Sequence, residues 1–259
     1  MITKAQRIAN LLRAVSGSDK RIQPTSAVIV AAGSSSRMGE VGGVKKQHIE
    51  LCGIPVVVRS MMAFESCELI REIVVVARED EMSLYDEYRG KYSITKLSHV
   101  VAGGNTRQES VLNGFEAIDP QAKFVAIHDG ARCLVTEQMI ESVCLAAYRN
   151  RAATAATAVR DTVKLTDRHG FIDSTVDRNL VWLAQTPQVF YTPLYRAAAY
   201  SAREEGFEAT DDNSLVERIQ NPVKLVECGR ENIKLTTPDD IALAEQILAT
   251  RESKSEGTT

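Results

Sequence analysis

The chain lacks most of what would mark a nucleic-acid-binding, secreted or membrane protein. Aromatic residues make up 5% of its 259 positions, with one tryptophan, too few for the stacking platforms that hold single-stranded nucleic acid. Lys and Arg number 31 against 34 Asp and Glu, a net charge of −3, so no basic field awaits a phosphate backbone. The five cysteines (Cys52, Cys67, Cys133, Cys144, Cys228) are odd in number and form no CxxC pair. They read as reduced thiols of a cytoplasmic protein rather than a disulfide frame or zinc site. No apolar run approaches the roughly eighteen residues of a membrane span. The four histidines are scattered without HxxxH spacing, and GxSxG is absent. Both common phosphate fingerprints, GxxxxGK[ST] and GxGxxG, are missing too.

What remains is a strong alternation of short β-branched runs and helical patterns. Strands are expected at Ala27–Ala31, Ile73–Ala77, His99–Ala102, Phe124–His128, Thr154–Val159 and Val223–Glu227. Helices are expected from Pro55 to Phe64, from Thr106 through Ile118, and over Thr136–Tyr148, Pro193–Arg203 and Pro238–Leu248, the last capped by Thr237 with Asp240 three residues on. Such βαβ alternation predicts an α/β domain whose mainly parallel sheet is covered on both faces and binds ligands at its strands' carboxyl ends. Residues 26–249 are expected to form it. Residues 1–25 carry Ile8, Leu11, Leu12 and Val15 on one helical face and read as an appended surface helix, with an organellar targeting peptide as the alternative. Residues 250–259 read as a polar, frayed tail.

Two stretches break the alternation. Residues 32–46 form a long loop, which in a compact domain is usually functional. Residues 160–178 read as a polar hairpin, Thr162–Thr166 and Phe171–Val176 about a turn at Asp167–Gly170, poorly suited to a parallel core. This segment is expected to project as an arm.

The chemistry concentrates at a few places. The run Val28-Ile29-Val30 stops at Ala31-Ala32-Gly33, and Ser34-Ser35-Ser36-Arg37 leads on to Lys45-Lys46-Gln47. Small residues let backbone N–H groups approach a polyphosphate, while Arg37 and Lys46 add fixed charge. Asp129 follows an apolar strand, so its carboxylate should sit beside that loop as a hard-oxygen ligand for the Mg²⁺ that nucleoside triphosphates carry; the other reading is a turn cap. Arg132 reads equally as its ion partner. Gly103-Gly104-Asn105-Thr106-Arg107 is either an approach to a flat base or an ordinary βα turn. Arg178 suits bidentate phosphate binding or solvent. Lys234 lies before a helix N-terminus, a natural anion site. In Thr210-Asp211-Asp212, a metal or hydroxyl contact competes with a helix cap.

Seven of these segments, in order, resemble one family: Ala31-Ala32-Gly33 with Arg37 and Lys46-Gln47, Gly103–Ser110, His128-Asp129-Gly130-Ala131-Arg132, Val159–Thr162, Val176–Asn179, Gln185–Gln188 and Asn232–Lys234. The family is that of the 2-C-methyl-D-erythritol 4-phosphate cytidylyltransferases of non-mevalonate isoprenoid synthesis, and the resemblance runs from about Ala27 to Leu248. It implies a Rossmann-like twisted sheet of the nucleotide-diphospho-sugar transferase type, CTP and methylerythritol phosphate as substrates, Mg²⁺, and a homodimer with interlocked arms. By the same resemblance Arg37 and Lys46 act on the transition state. Ala31, Ala32, Gly33, Ser36, Gly104, Asn105, Arg107, Ser110, Asp129 and Ala131 line the nucleotide side, and Arg132, Thr162, Arg178, Thr186 and Lys234 the second substrate. A ribitol-5-phosphate cytidylyltransferase shares the loop and the strand-edge aspartate and is the nearest alternative; a non-catalytic nucleotide binder is more remote, since both loop cations are present. The chain departs from the family at His48, often aromatic, at Gly130, at Cys133, usually proline, and at Asn213.

Overall fold

The computed structural model describes residues 22–33 and 45–256, the last three in backbone only. The expected N-terminal helix and the loop residues Ser36 and Arg37 lie outside the described residues. Seven strands form the central sheet: β1 (Thr25–Val30), β4 (Ile70–Ala77), β5 (Leu97–Ala102), β6 (Phe124–Asp129), β7 (Ala152–Ala158), β10 (Trp182–Tyr191) and β11 (Lys224–Glu227), in the order β11-β7-β10-β6-β1-β4-β5. The remaining strands form two small ladders, β2 (Glu50–Leu51) with β3 (Ile54–Pro55) and β8 (Lys164–Thr166) with β9 (Ile172–Thr175).

Within the central sheet the pairings are parallel except that β10 runs antiparallel to both β6 and β7. The mainly parallel sheet is as expected; a reversed strand near its middle is not. Its sequence, Trp182-Leu183-Ala184-Gln185-Thr186-Pro187-Gln188, lacks an apolar run, and its pairing with β7 breaks register between Ala184 and Gln188. Pro187, which has no N–H to give a ladder, falls in that break.

Alternate residues of the strands feed two cores. Ala27, Ile29, Ile73 and Val75 pack on one face with α1 (Val56–Ser66), α2 (Met82–Lys91) and α4 (Glu137–Asn150). Val28, Val74, Val76, Val125 and Ile127 pack on the other with α3 (Arg107–Glu116), α5 (Thr192–Glu204) and α6 (Asp212–Arg218). The period of two places hydrophobic side chains on both faces, as a parallel sheet requires. A third cluster joins Leu51, Val56, Cys133 and Leu134 to Leu235, Ala244 and Leu248, the last two on α7 (Asp239–Glu256). This last helix continues past Leu248 into the segment expected to fray. Arg251 explains the extension: its guanidinium donates to the Leu134 carbonyl at 2.9 Å and meets Glu231 at 3.0 Å.

The arm is present, shorter than expected, and stands apart from the main sheet. Asp167 builds its turn, its Oδ1 accepting from the N–H groups of His169 and Phe171, and Gly170 adopts the left-handed conformation (φ +85°). Leu165, Phe171 and Ile172 are 53%, 73% and 65% exposed, and Leu180 and Leu183 nearby are 80% and 57% exposed.

Candidate active site

The site forms at the carboxyl ends of β1, β4, β5 and β6. Where β1 ends, the Ala31 N–H donates to the Val76 carbonyl at 2.7 Å and fixes the strand's exit. Lys46 lies in a 3₁₀ turn, Lys46–His48, rather than in irregular loop. Gln47 holds that turn against β1, donating to the carbonyls of Ala31 and Gly33, both at 2.8 Å. A cavity of about 630 Å³ opens beside it, lined by Ala32, Arg78, Glu79, Asp80, Ala102, Gly103 and Gly104, within the size range of small-molecule sites.

The glycines of this cavity have a packing reason that the sequence reading did not supply. A Cβ on Gly103 would stand 2.3 Å from Ala32 Cβ, and one on Gly104 2.4 Å from Glu109 Cβ. Thr106 caps α3 as expected, accepting from the Glu109 N–H at 3.1 Å. The Glu109 carboxylate reaches back to the Asn105 N–H at 2.7 Å, and Ser110 Oγ accepts from the Gly104 N–H at 3.0 Å. The turn is therefore set before any ligand arrives.

Asp129 ends β6 as the centre of a cationic cluster. Lys234 Nζ donates to its Oδ2 at 2.7 Å, Arg107 Nε to its Oδ1 at 3.2 Å, and Arg132 Nε lies 4.0 Å away. Burial opposes charge on this carboxyl, but Arg107 and then Lys234 outweigh it and hold the pKa well below the usual carboxylate range. The backbone beneath is pinned as well: the Asp129 N–H donates to Thr186 Oγ1 at 3.0 Å, and Leu235 N–H to the Ala131 carbonyl at 3.0 Å. Asn232, fully buried, donates to Gln185 Oε1 and the Thr186 carbonyl, while Arg132 bonds the Asn232 carbonyl at 2.8 Å. His128 lies fully buried beneath, and burial pushes its pKa down to about 3, so it is neutral.

Two sequence readings change. Asp211 is the cap of α6, accepting from the Ser214 N–H, but Asp212 is a buried ion partner of Arg107, at 2.8 Å, and accepts from Tyr195 OH at 2.7 Å. The N-terminus of α7 is not an open anion site, because Asp240 takes the N–H groups of Thr236 and Thr237. Arg178, expected to act across interlocked arms, and Thr162 are both exposed at the base of the arm, where Arg178 donates to the Arg160 carbonyl at 2.8 Å. Sequence reasoning missed His128, Asn232 and Asp212 as supports of the site. A polar residue inside an apolar run, as at His128, was the available signal.

A mainly parallel α/β sheet with a small-molecule-sized cavity and a cationic cluster at its strand ends suits a nucleotidyltransferase, the class for which its relatives are named. The profile of the family described as 2-C-methyl-D-erythritol 4-phosphate cytidylyltransferase matches residues 25–250, and the chain belongs to that family. A relative of that name from Caldanaerobacter subterraneus subsp. tengcongensis is 45% identical over 224 residues, spanning 86% of this chain and 98% of its own. Another from Syntrophus aciditrophicus is 40% identical over 234 residues, spanning 90% of this chain and 100% of its own. Among solved structures, 4-diphosphocytidyl-2C-methyl-D-erythritol synthase from Anaerococcus prevotii superposes with a TM-score of 0.79 at 33% identity, covering 88% of this chain and 97% of that one.

Proposed function

We propose that this enzyme condenses CTP with 2-C-methyl-D-erythritol 4-phosphate, giving 4-diphosphocytidyl-2-C-methyl-D-erythritol and pyrophosphate. The convergence of Arg107, Arg132 and Lys234 on Asp129, beside the glycine-walled cavity, carries the reading. In this mechanism a phosphate oxygen of methylerythritol phosphate attacks the α-phosphorus of CTP in line. The new P–O bond forms as the bond to the bridging oxygen breaks, and pyrophosphate leaves with that electron pair. No covalent enzyme intermediate is needed; positioning and charge neutralisation supply the catalysis.

The cavity between Ala32 and Gly103-Gly104 takes the cytidine, with Ala31, Gly33, Asn105 and Ser110 around it. Arg37 and Lys46 meet the charge that grows on the α-phosphate and leaving group. Lys234 and Arg132 hold the methylerythritol phosphate, with Thr186 beside them. One carboxylate at a strand end suits an ion that takes most of its ligands from a substrate's phosphates, and Asp129, whose oxygens also face Lys234 and Arg107, would be the residue to hold Mg²⁺. Among the described residues no group of three His, Cys, Asp or Glu side chains gathers as a metal cage. Bound there, the ion would neutralise triphosphate charge.

The exposed apolar residues of the arm support a homodimer in which Thr162 and Arg178 serve the partner's site. A lone two-stranded ladder is marginal in water, and Leu165, Phe171, Ile172 and Leu180 would be covered by a second copy. The activity is tested by pyrophosphate release from CTP with methylerythritol phosphate or ribitol phosphate as acceptor. Turnover confined to ribitol phosphate would reverse the assignment.

A further inference from the structure

Lys45 and His48, which flank Lys46 and Gln47, both lie within ion-pair distance of one buried carboxylate. Glu81 is 7% exposed and ends the 3₁₀ turn Glu79–Glu81. Its Oε1 lies 2.7 Å from Lys45 Nζ, and its Oε2 lies 3.3 Å from His48 Nε2. Lys45 also reaches Asp80 at 3.0 Å, and Arg78 Nε stands 3.9 Å from Glu81. The other ring nitrogen of His48 is 3.2 Å from Tyr88 OH, and the imidazole packs edge-on to Tyr85 with centroids 6.0 Å apart. Gln47 meanwhile grips the end of β1 in the opposite direction.

Three of these four consecutive residues are thus held in place from two sides. One side is the strand that delivers Ala31 and Ala32. The other is the turn whose residues Arg78, Glu79 and Asp80 line the nucleotide cavity. A buried carboxylate carries a large desolvation penalty even when paired, and an apolar residue of similar volume would fill the space without it. Packing alone does not account for Glu81.

We propose that Glu81 is a positioning residue for catalysis: through Lys45 and His48 it sets the 3₁₀ turn that presents Lys46 to the triphosphate and registers that turn against the cavity wall. The inference rests on the reading of Lys46 as a triphosphate contact.

The test is a double-mutant cycle on the full chain. Glu81→Gln keeps the shape and removes the charge, and should lower kcat about 10–100-fold, the scale of misplacing a catalytic group. KM for methylerythritol phosphate should stay within about twofold, since that substrate lies on the Lys234 side. In a Lys46→Ala background the same substitution should cost nothing further in kcat, because its effect passes through Lys46. Lys45→Met cuts the clamp from its more exposed end and should repeat the pattern should Glu81→Gln fold poorly. Losses that add independently to that of Lys46→Ala, or a lowered melting temperature with unchanged kcat, would overturn the clamp. Unchanged kcat in Lys46→Ala itself would overturn the role of Lys46, and with it the purpose of the clamp.

Discussion

Lys234 and Asp129, 105 residues apart in sequence, meet at 2.7 Å through the Lys234 ammonium and one carboxylate oxygen. The pairing fixes the Lys234 ammonium at the end of β6. It also makes the site a source of pH dependence.

Two groups there titrate in separate acid windows. His128 is held neutral, its pKa depressed to about 3 from 6.5. The unfolded chain therefore binds its proton first, and stability falls as pH drops from about 6.5 toward 3. Asp129 is depressed from 3.8, so its contribution is whole above that value and is lost only as pH falls further below it. Denaturation midpoints followed by circular dichroism should show both limbs. His128→Asn should flatten the upper limb and leave the lower one; loss of neither would contradict the assignment.

Gly103→Ala should damage nucleotide binding and fold together. Its Cβ would lie 2.3 Å from Ala32 Cβ, an overpacking expected to destabilise by about 1–3 kcal/mol. Thermal melts should show the loss, and KM for CTP should rise. Ala32→Gly added to it should recover part of both, because it removes the clashing methyl.

Lys46→Ala should cut kcat by about 10²–10³, the scale of losing one electrostatic stabiliser. The fold should survive, since Lys46 belongs to no core cluster. A rise in KM for CTP with kcat unchanged would make Lys46 a uniform binding residue instead.

Mixing Lys46→Ala chains with Arg178→Ala chains should restore activity if arms cross between protomers. Each heterodimer would hold one doubly damaged site and one intact site, giving up to about half the wild-type rate per heterodimer by symmetry. No recovery, with subunit exchange verified by mass spectrometry, would place Arg178 in its own chain's site.

Much of the fold could be read from the chain because its strands are apolar and β-branched. Ile73–Ala77 and Phe124–His128 announce themselves as buried on both faces, and Thr106 and Thr136 announce the helices they cap, at 3.1 and 3.3 Å. β10 escaped because Gln185, Thr186 and Gln188 make polar contacts inside the sheet; its burial follows from partners such as Asn232, Thr154 and His128 that no local pattern displays. α2 escaped because its two buried residues, Tyr85 and Tyr88, stand among charged ones. Asp129, Lys234 and Arg107 were legible as chemistry because charges beside strand ends and glycines are unusual. Asp212 was not, since its neighbour Asp211 offers the simpler explanation of a cap.

The reversal of β10 has a geometric consequence. β7 and β10 are the two legs of one long hairpin, Ala158 paired with Trp182 and Val159 N–H bonded to the Val181 carbonyl at 3.1 Å. Thr186 lies level with Asp129, so the legs overshoot the neighbouring strand and carry the arm out from the very end where the cavity opens. Had β10 run parallel to β7, the chain would have had to cross back beneath the sheet before re-entering it. As built, the arm, with Leu165, Phe171 and Ile172 exposed beside its turn, and the glycine-walled cavity share one pole of the molecule, so whatever covers the arm also borders the cavity's rim.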